Sequence, residues 1–311
     1  MRVASLLPSA TEMVHAVGRG DTLVLRSHEC DHPPEAQRVP SATEPKYAAD
    51  GTSYQIDERV KALVQEGLSV YRVDREALRQ ARPDIVITQD QCEVCAASSA
   101  DVEGAVREAL GTAVEIVSLE PASLGDVLED VRTVGRALDA EEGASRAVEA
   151  MEARMAAVTE AVEGAGVRPT VAGIEWLDPL MAAGNWFPEL VDRAGGRDLF
   201  GSPGAHSPWL EWEALREADP DVLVLLPCGF SMERTRAELP LLVERPGWRE
   251  LRAVRTGRVH LVDGHHYFNR PGPRLADSVE ILGEILHPGA VPTRHRGTGW
   301  APLGENDTVA G

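Results

Sequence analysis

The sequence predicts an α/β protein of two lobes with mainly parallel sheets, joined by one long rigid helix, and three observations predict it. The first is an internal repeat. EALRQARPDIVI, from Glu76 to Ile87, aligns without a gap with EALREADPDVLV, from Glu213 to Val224, and both run on toward a cysteine, Cys92 and Cys228. EMVHAVGRGD, from Glu12 to Asp21, resembles ELVDRAGGRD, from Glu189 to Asp198, and each follows an apolar run that opens Val-Ala, at Val3 and Val171. Two matches in the same order make two related halves. The second observation is the alternation of strand-like and helix-like segments, which favours parallel sheets flanked by helices. The third is a proline-free span between the halves, Ser123 to Gly164.

The elements follow in order. VASLL (3–7), TLVLRS (22–27), SVYRV (69–73), DIVIT (84–88) and VEIVSL (114–119) read as strands of the first half, with helices over Ala10 to Val17 and Ile56 to Glu66 between them. TVAGIE (170–175), DVLVLLP (221–227) and RVHLVD (258–263) play the same part in the second half. The span between is dense in Ala, Glu, Val and Arg, with Ser123 as N-cap and Asp126 in its first turn. A helix of that order would be about 60 Å long. A coiled-coil seam is the alternative, but Gly135 and Gly143 interrupt its heptads. The expected division is a lobe over 1–120, a connector over 121–166, a lobe over 167–288 and a disordered tail over 289–311, which is rich in Gly, Pro and polar residues without periodicity.

Composition narrows the function. The 311 residues carry 31 Lys plus Arg against 50 Asp plus Glu, a net charge of −19, which repels nucleic acids and anionic membranes. Four cysteines are too few for a disulfide framework. No run approaches the ~20 apolar residues of a membrane span, and Pro8 and Glu12 interrupt the amino-terminal apolar stretch before it could serve as a secretory signal. The expectation is a monomeric cytoplasmic protein.

In parallel sheets, the loops leaving the carboxyl ends of the strands line the ligand crevice. Here they are 6–11, 27–34, 88–95, 175–189, 227–230 and 263–274, and they contain all four cysteines. If the lobes face one another across a cleft, Cys30, Cys92 and Cys95 come from one wall and Cys228 from the other. Such a set suits zinc or an iron–sulfur cluster. Cys95 with His28 as base also outlines a thiol enzyme. His265 and His266 are adjacent, so in an extended loop only one would face a ligand, and His287 reads as a surface residue.

The strings SLLPSATE, SHECDHP, TQDQCEVC, EWLDPL, PCGF and YFNRPGPR, in this order around a long central helix, resemble the cobalamin-binding branch of the ABC-transporter substrate-binding proteins, the helical-backbone metal-receptor class. The resemblance spans about Arg2 to Pro288. It implies two Rossmann-like lobes, no catalysis, and cobalamin or another corrinoid or metal chelate held in the cleft. Trp176, Trp186, Phe230 and Tyr267 would then face the macrocycle, with Arg270 and His28 at its amide or phosphate edge and Ser9, Glu29, Gln89 and Asp178 completing the site. Receptors of this class deliver to an ABC permease after export. Without an export signal, that partner is not expected.

Overall fold

A computed structural model describes residues 1–65, 70–89 and 99–304. The chain forms two compact units, the first made of Met1–Gly51, Gln55–Pro121 and Gly125–Ala150, the second of Thr52–Tyr54, Ala122–Leu124 and the chain from Met151. Both are α/β, as expected.

In the first unit the strands are β1 (Val3–Ser5), β2 (Leu23–Arg26), β3 (Thr43–Pro45), β4 (Tyr71–Val73), β5 (Ile85–Gln89) and β6 (Glu115–Leu119). The main sheet is parallel in the order β2-β1-β5-β6, and β3 pairs with β4 separately. β1 and β5 are buried at every residue, as strands covered on both faces must be. Helices α1 (Pro8–Ala16), α2 (Ser53–Gln65), α3 (Arg75–Ala81) and α4 (Ser99–Leu110) connect them, and Ala4, Leu25, Leu78, Val86 and Val106 form the core.

The proline-free span is helical in two pieces, α5 (Leu124–Ala137) and α6 (Glu141–Val162), and the chain passes from the first unit to the second inside α6. The expected unbroken run is interrupted at 138–140, where Asp139 takes the left-handed conformation at φ 49°. Packing explains the break. A methyl on Gly143 would collide with the Val17 carbonyl, and one on Gly135 with Ala144, so both glycines let α6 turn back closely against α5 and the end of α1. Arg19 donates to the Asp139 carbonyl and holds the turn. The long helix is therefore α6, about 33 Å over its 22 residues. The expected separate connector over 121–166 is instead shared between the two units.

The second unit contains β7 (Thr170–Leu177), β8 (Leu180–Ala182), β9 (Arg197–Asp198), β10 (Val222–Leu225), β11 (Val259–Val262) and β12 (Trp300–Pro302) in the order β12-β11-β10-β7-β8, with β9 on β7. β7, β9, β10 and β11 are parallel, while β8 and β12 are antiparallel to their neighbours. Its helices are α7 (Phe187–Arg193), α8 (Trp212–Ala218), α9 (Met232–Ala237), α10 (Pro240–Val243), α11 (Arg252–Arg255) and α12 (Leu275–Leu286). Among the described residues no helix is long and apolar enough to cross a membrane.

The repeat has a structural basis. α3 ends at Arg82 (φ 45°) and α8 at Asp219 (φ 40°), each followed by Pro-Asp and a strand. Asp84 then accepts the Arg2 amide at 2.7 Å, and Asp221 accepts the Thr170 amide at 2.9 Å, fixing the start of the neighbouring strand in each unit. The registers correspond: Val3 lies opposite Ile85, and Val171 opposite Val222.

The tail expected to be disordered is folded through residue 304, and residues 305–311 lie outside the description. β12 pairs with β11, and the buried carboxylate of Glu284 accepts Trp300 Nε1 at 2.6 Å and the amides of Arg294 and His295 at 2.7 and 2.9 Å. Backbone pairing and two carboxylates, Glu284 and Glu280, the latter 2.8 Å from His295 Nε2, hold this segment, so it needs no apolar periodicity. His287, expected at the surface, is also buried, with Nε2 3.2 Å from the Gly195 carbonyl. Glu284→Ala leaves the buried Trp300 indole and two part-buried amides without their acceptor and is expected to cost about 3 kcal/mol in urea unfolding. Glu284→Gln, which keeps one acceptor oxygen, is expected to cost less.

Candidate functional site

In the second unit, the loops after β7, β10 and β11 are tied to one another. The Cys228 amide donates to the Glu175 carbonyl at 3.1 Å, and the His265 amide to the Phe230 carbonyl at 3.0 Å. Asn269 Nδ2 donates to the Leu226 and Gly264 carbonyls at 2.9 and 3.1 Å. Gly264 is required here because a methyl would strike the Pro227 carbonyl. Three chain segments distant in sequence thus make one surface at the carboxyl ends of the parallel strands, where α/β sheets bind ligands.

Trp176 and Phe230 meet on that surface with ring centroids 5.2 Å apart, and the Arg234 guanidinium lies 4.8 Å over the Phe230 ring. Trp176 is half-buried and Phe230 is buried beside it, so the indole is the exposed member of the stack. Strand alternation separates Trp176 from Glu175. The Glu175 carboxylate accepts the Ser207 hydroxyl at 2.9 Å, and burial pushes its carboxyl up against the opposing effects of Ser207, His206 and the Gly184 amide. Asp178 is half-buried in the turn between β7 and β8. Tyr267 is half-buried with the Arg274 guanidinium 5.5 Å over its ring, and Arg270 Nη2 lies 3.0 Å from His265 Nε2.

Trp186, expected to face a ligand, is an interior residue. It is buried at the start of α7, and its Nε1 donates to the Phe268 carbonyl at 2.6 Å. Phe268 has φ 62°, and its amide is bonded to Ser278 Oγ at 3.1 Å, so Trp186 braces the loop after β11 from beneath. His265 and His266 also differ from the extended-loop expectation. Asp263 turns the backbone by accepting both of their amides at 3.0 Å, which brings the two rings to 4.7 Å. The string DGHH carries the signal for this turn, since an aspartate folds the backbone two residues on. Arg234 and Asn269 carry no such local signal.

In the first unit, Ser9 is buried in the first turn of α1, and Gln89 is buried at the end of β5. His28 Nδ1 lies 2.7 Å from Thr43 Oγ1, and its ring meets Tyr71 edge-on at 5.0 Å. The Tyr71 hydroxyl donates to Glu29 at 3.2 Å. Burial holds His28 below the usual histidine range, with Glu29 opposing, so the ring is neutral at pH 7. Cys30, expected on the ligand wall, is buried with Sγ 3.0 Å from Thr11 Oγ1. Thr11 donates onward to Ser5, and Ser5 to the Leu7 carbonyl, so the thiol is the donor that begins this chain. Cys228 is half-buried in the second unit. Cys92 and Cys95 lie outside the described residues, so the convergence of four thiols is not assembled among those described.

A periplasmic binding protein family model matches residues 3–265. The chain belongs to the periplasmic binding protein family. This is a family of solute-binding proteins, not of enzymes, which agrees with the resemblance carried by the loop strings. The periplasmic binding protein fold recurs in a periplasmic heme-binding protein from Pseudomonas aeruginosa (TM-score 0.69, 22% identity, 94% of this chain and 95% of that one). It also recurs in the periplasmic vitamin B12-binding protein BtuF of Vibrio cholerae (TM-score 0.63, 19% identity, 92% and 96%). A curated relative, the uncharacterized ABC transporter substrate-binding lipoprotein YvrC of Bacillus subtilis (strain 168), is 23% identical over 301 residues, 92% of this chain and 80% of the relative. The family and the lipoprotein relative overturn the expectation of a cytoplasmic protein.

Proposed function

We propose that this chain captures cobalamin, or a related flat metal chelate of the tetrapyrrole type, outside the cytoplasm and delivers it to an ABC permease. The observation that carries the reading is the stitched surface of the second unit. It offers Trp176 backed by Phe230 for stacking against a macrocycle, with His266, Tyr267 and Arg270 on the adjoining loop. The vitamin B12-binding and heme-binding proteins that share the fold, and the lipoprotein relative, support the ligand class, the permease partner and the location. Each monomer takes one ligand.

Capture of a bare metal by the cysteines has less support, because the Cys30 thiol is buried in a hydrogen-bond chain. Titration of the purified protein with cyanocobalamin and with hemin, followed by quenching of tryptophan fluorescence, tests the reading. Saturable quenching by at least one chelate is expected, and Trp176→Phe should remove most of it. Quenching by neither, with zinc retained instead, would replace this reading with the thiolate one.

A further inference from the structure

The carboxyl-terminal segment meets the loop after β11 at two points. The Asp263 amide donates to the Gly299 carbonyl at 2.9 Å, just beyond the Val262–Trp300 pair of β11 and β12. Asp263 is the residue whose carboxylate turns the loop, by accepting the amides of His265 and His266 at 3.0 Å. Farther along, the Tyr267 and His295 rings meet with centroids 6.3 Å apart and 74° between their planes. Tyr267 also packs close to Gly299, where a methyl would stand 3.4 Å from Tyr267 Cε2 and 2.9 Å from Ile281 Cδ1. The family match ends at residue 265, and Tyr267, His295 and Gly299 all lie beyond it.

His295 is itself held from two sides. Its amide donates to Glu284 at 2.9 Å, and its Nε2 lies 2.8 Å from Glu280 Oε2. Arg154 Nε and Nη2 reach the two Glu280 oxygens at 2.9 and 2.8 Å, and Nη2 also reaches Asp277 at 2.8 Å. Burial pushes the Glu280 carboxyl up, but the bonds from Arg154 and His295 outweigh it and hold the group below its ordinary range, as a carboxylate. A carboxylate only accepts, so Nε2 of His295 carries a proton and donates it. That bond fixes the imidazole beside Tyr267. The His295 carbonyl in turn accepts the Gly299 amide at 2.7 Å, so one residue sets both points of contact.

We propose that His295 is a positioning residue for the chelate site, holding Tyr267 and, through Gly299, the Asp263 turn in the conformation that receives the ligand. The proposal rests on the reading that the chain binds such a chelate. It makes the carboxyl-terminal segment a determinant of affinity as well as of folding. A side chain ordered before the ligand arrives loses less freedom on binding, so a fixed Tyr267 binds more tightly than a mobile one. The two contributions of the imidazole are separable: its N–H anchors the segment to Glu280, and its ring places Tyr267.

Two substitutions in the whole chain separate them. His295→Gln keeps an N–H for Glu280 and removes the ring. Its urea unfolding should stay close to the parent's, while its binding of cyanocobalamin or hemin, whichever the parent retains, weakens about three- to tenfold. His295→Phe returns a ring and removes the bond, so it should restore most of that affinity and lose stability instead. In a Tyr267→Leu background, His295→Gln should weaken binding no further. Hydrogen exchange of the ligand-free protein gives a readout that needs no chelate: the amides of residues 265–267 should exchange faster in His295→Gln than in the parent. Parent-like affinity or unchanged exchange in His295→Gln, or affinity that falls in step with stability in both variants, overturns the positioning role and leaves the proposed function standing. If neither chelate binds the unaltered protein, the proposed function fails and this inference fails with it.

Discussion

Replacing Trp176 and Phe230 together by alanine is expected to weaken chelate binding by about 100- to 1,000-fold, because burying each aromatic is worth roughly 1.5–3 kcal/mol. The two rings form one stack, so the double change should cost less than twice the larger single one. Trp186→Ala serves as the contrast. It removes a buried indole and the bond to the Phe268 carbonyl, so it should cost about 3–5 kcal/mol of stability. At temperatures where the variant is still folded, its affinity should change far less than that of the double variant. Calorimetry for affinity and urea unfolding for stability separate the two outcomes. A loss of affinity in Trp186→Ala with no loss of stability would reverse these assignments.

The second large effect is on acid stability. His260 lies in β11, is buried, has no partner for either ring nitrogen among the described residues, and meets Trp300 edge-on at 5.3 Å. Burial, reinforced by Arg258 and Arg296, lowers it from 6.5 to about 4. The folded state therefore refuses a proton that the unfolded chain accepts. This contribution to stability is fully present above pH 6.5 and is lost as pH falls through the window from 6.5 to about 4. The loss is about 3 kcal/mol when complete. His260→Phe keeps an aromatic against Trp300 and removes the titration. Its unfolding free energy is expected to fall less than the parent's between pH 7.5 and 4.5, by about 2–3 kcal/mol. Parallel profiles for the two proteins would show that His260 is not the group responsible.

What could be read from the residues, and what could not, divides along sequence distance. The repeat was legible because it is local: a helix, a left-handed residue, Pro-Asp and a strand recur at Arg82 and Asp219, and Asp84 and Asp221 perform the same bond in each unit. The loops that carry the candidate site were legible for the same reason, since they follow recognisable strands. The break at 138–140 was not, because Gly143 is shaped by Val17, more than a hundred residues earlier. The folding of the tail depends on Glu284, Trp300 and the edge of β11. Trp176 and Trp186 look alike in the sequence, and only the Phe268 carbonyl, 82 residues beyond Trp186, sends the second one inward. Cys30 was placed on the correct loop, but its turn folds back through the Ser27 carbonyl and points the thiol at Thr11.

The central claim is that this periplasmic binding protein holds a metal chelate, and equilibrium dialysis of the purified chain against cyanocobalamin and against hemin tests it most directly. The account predicts retention of one chelate at one molecule per chain, half-saturated at or below ~1 μM. Retention of neither at concentrations a hundred times higher, by protein that unfolds cooperatively and is therefore intact, would contradict it.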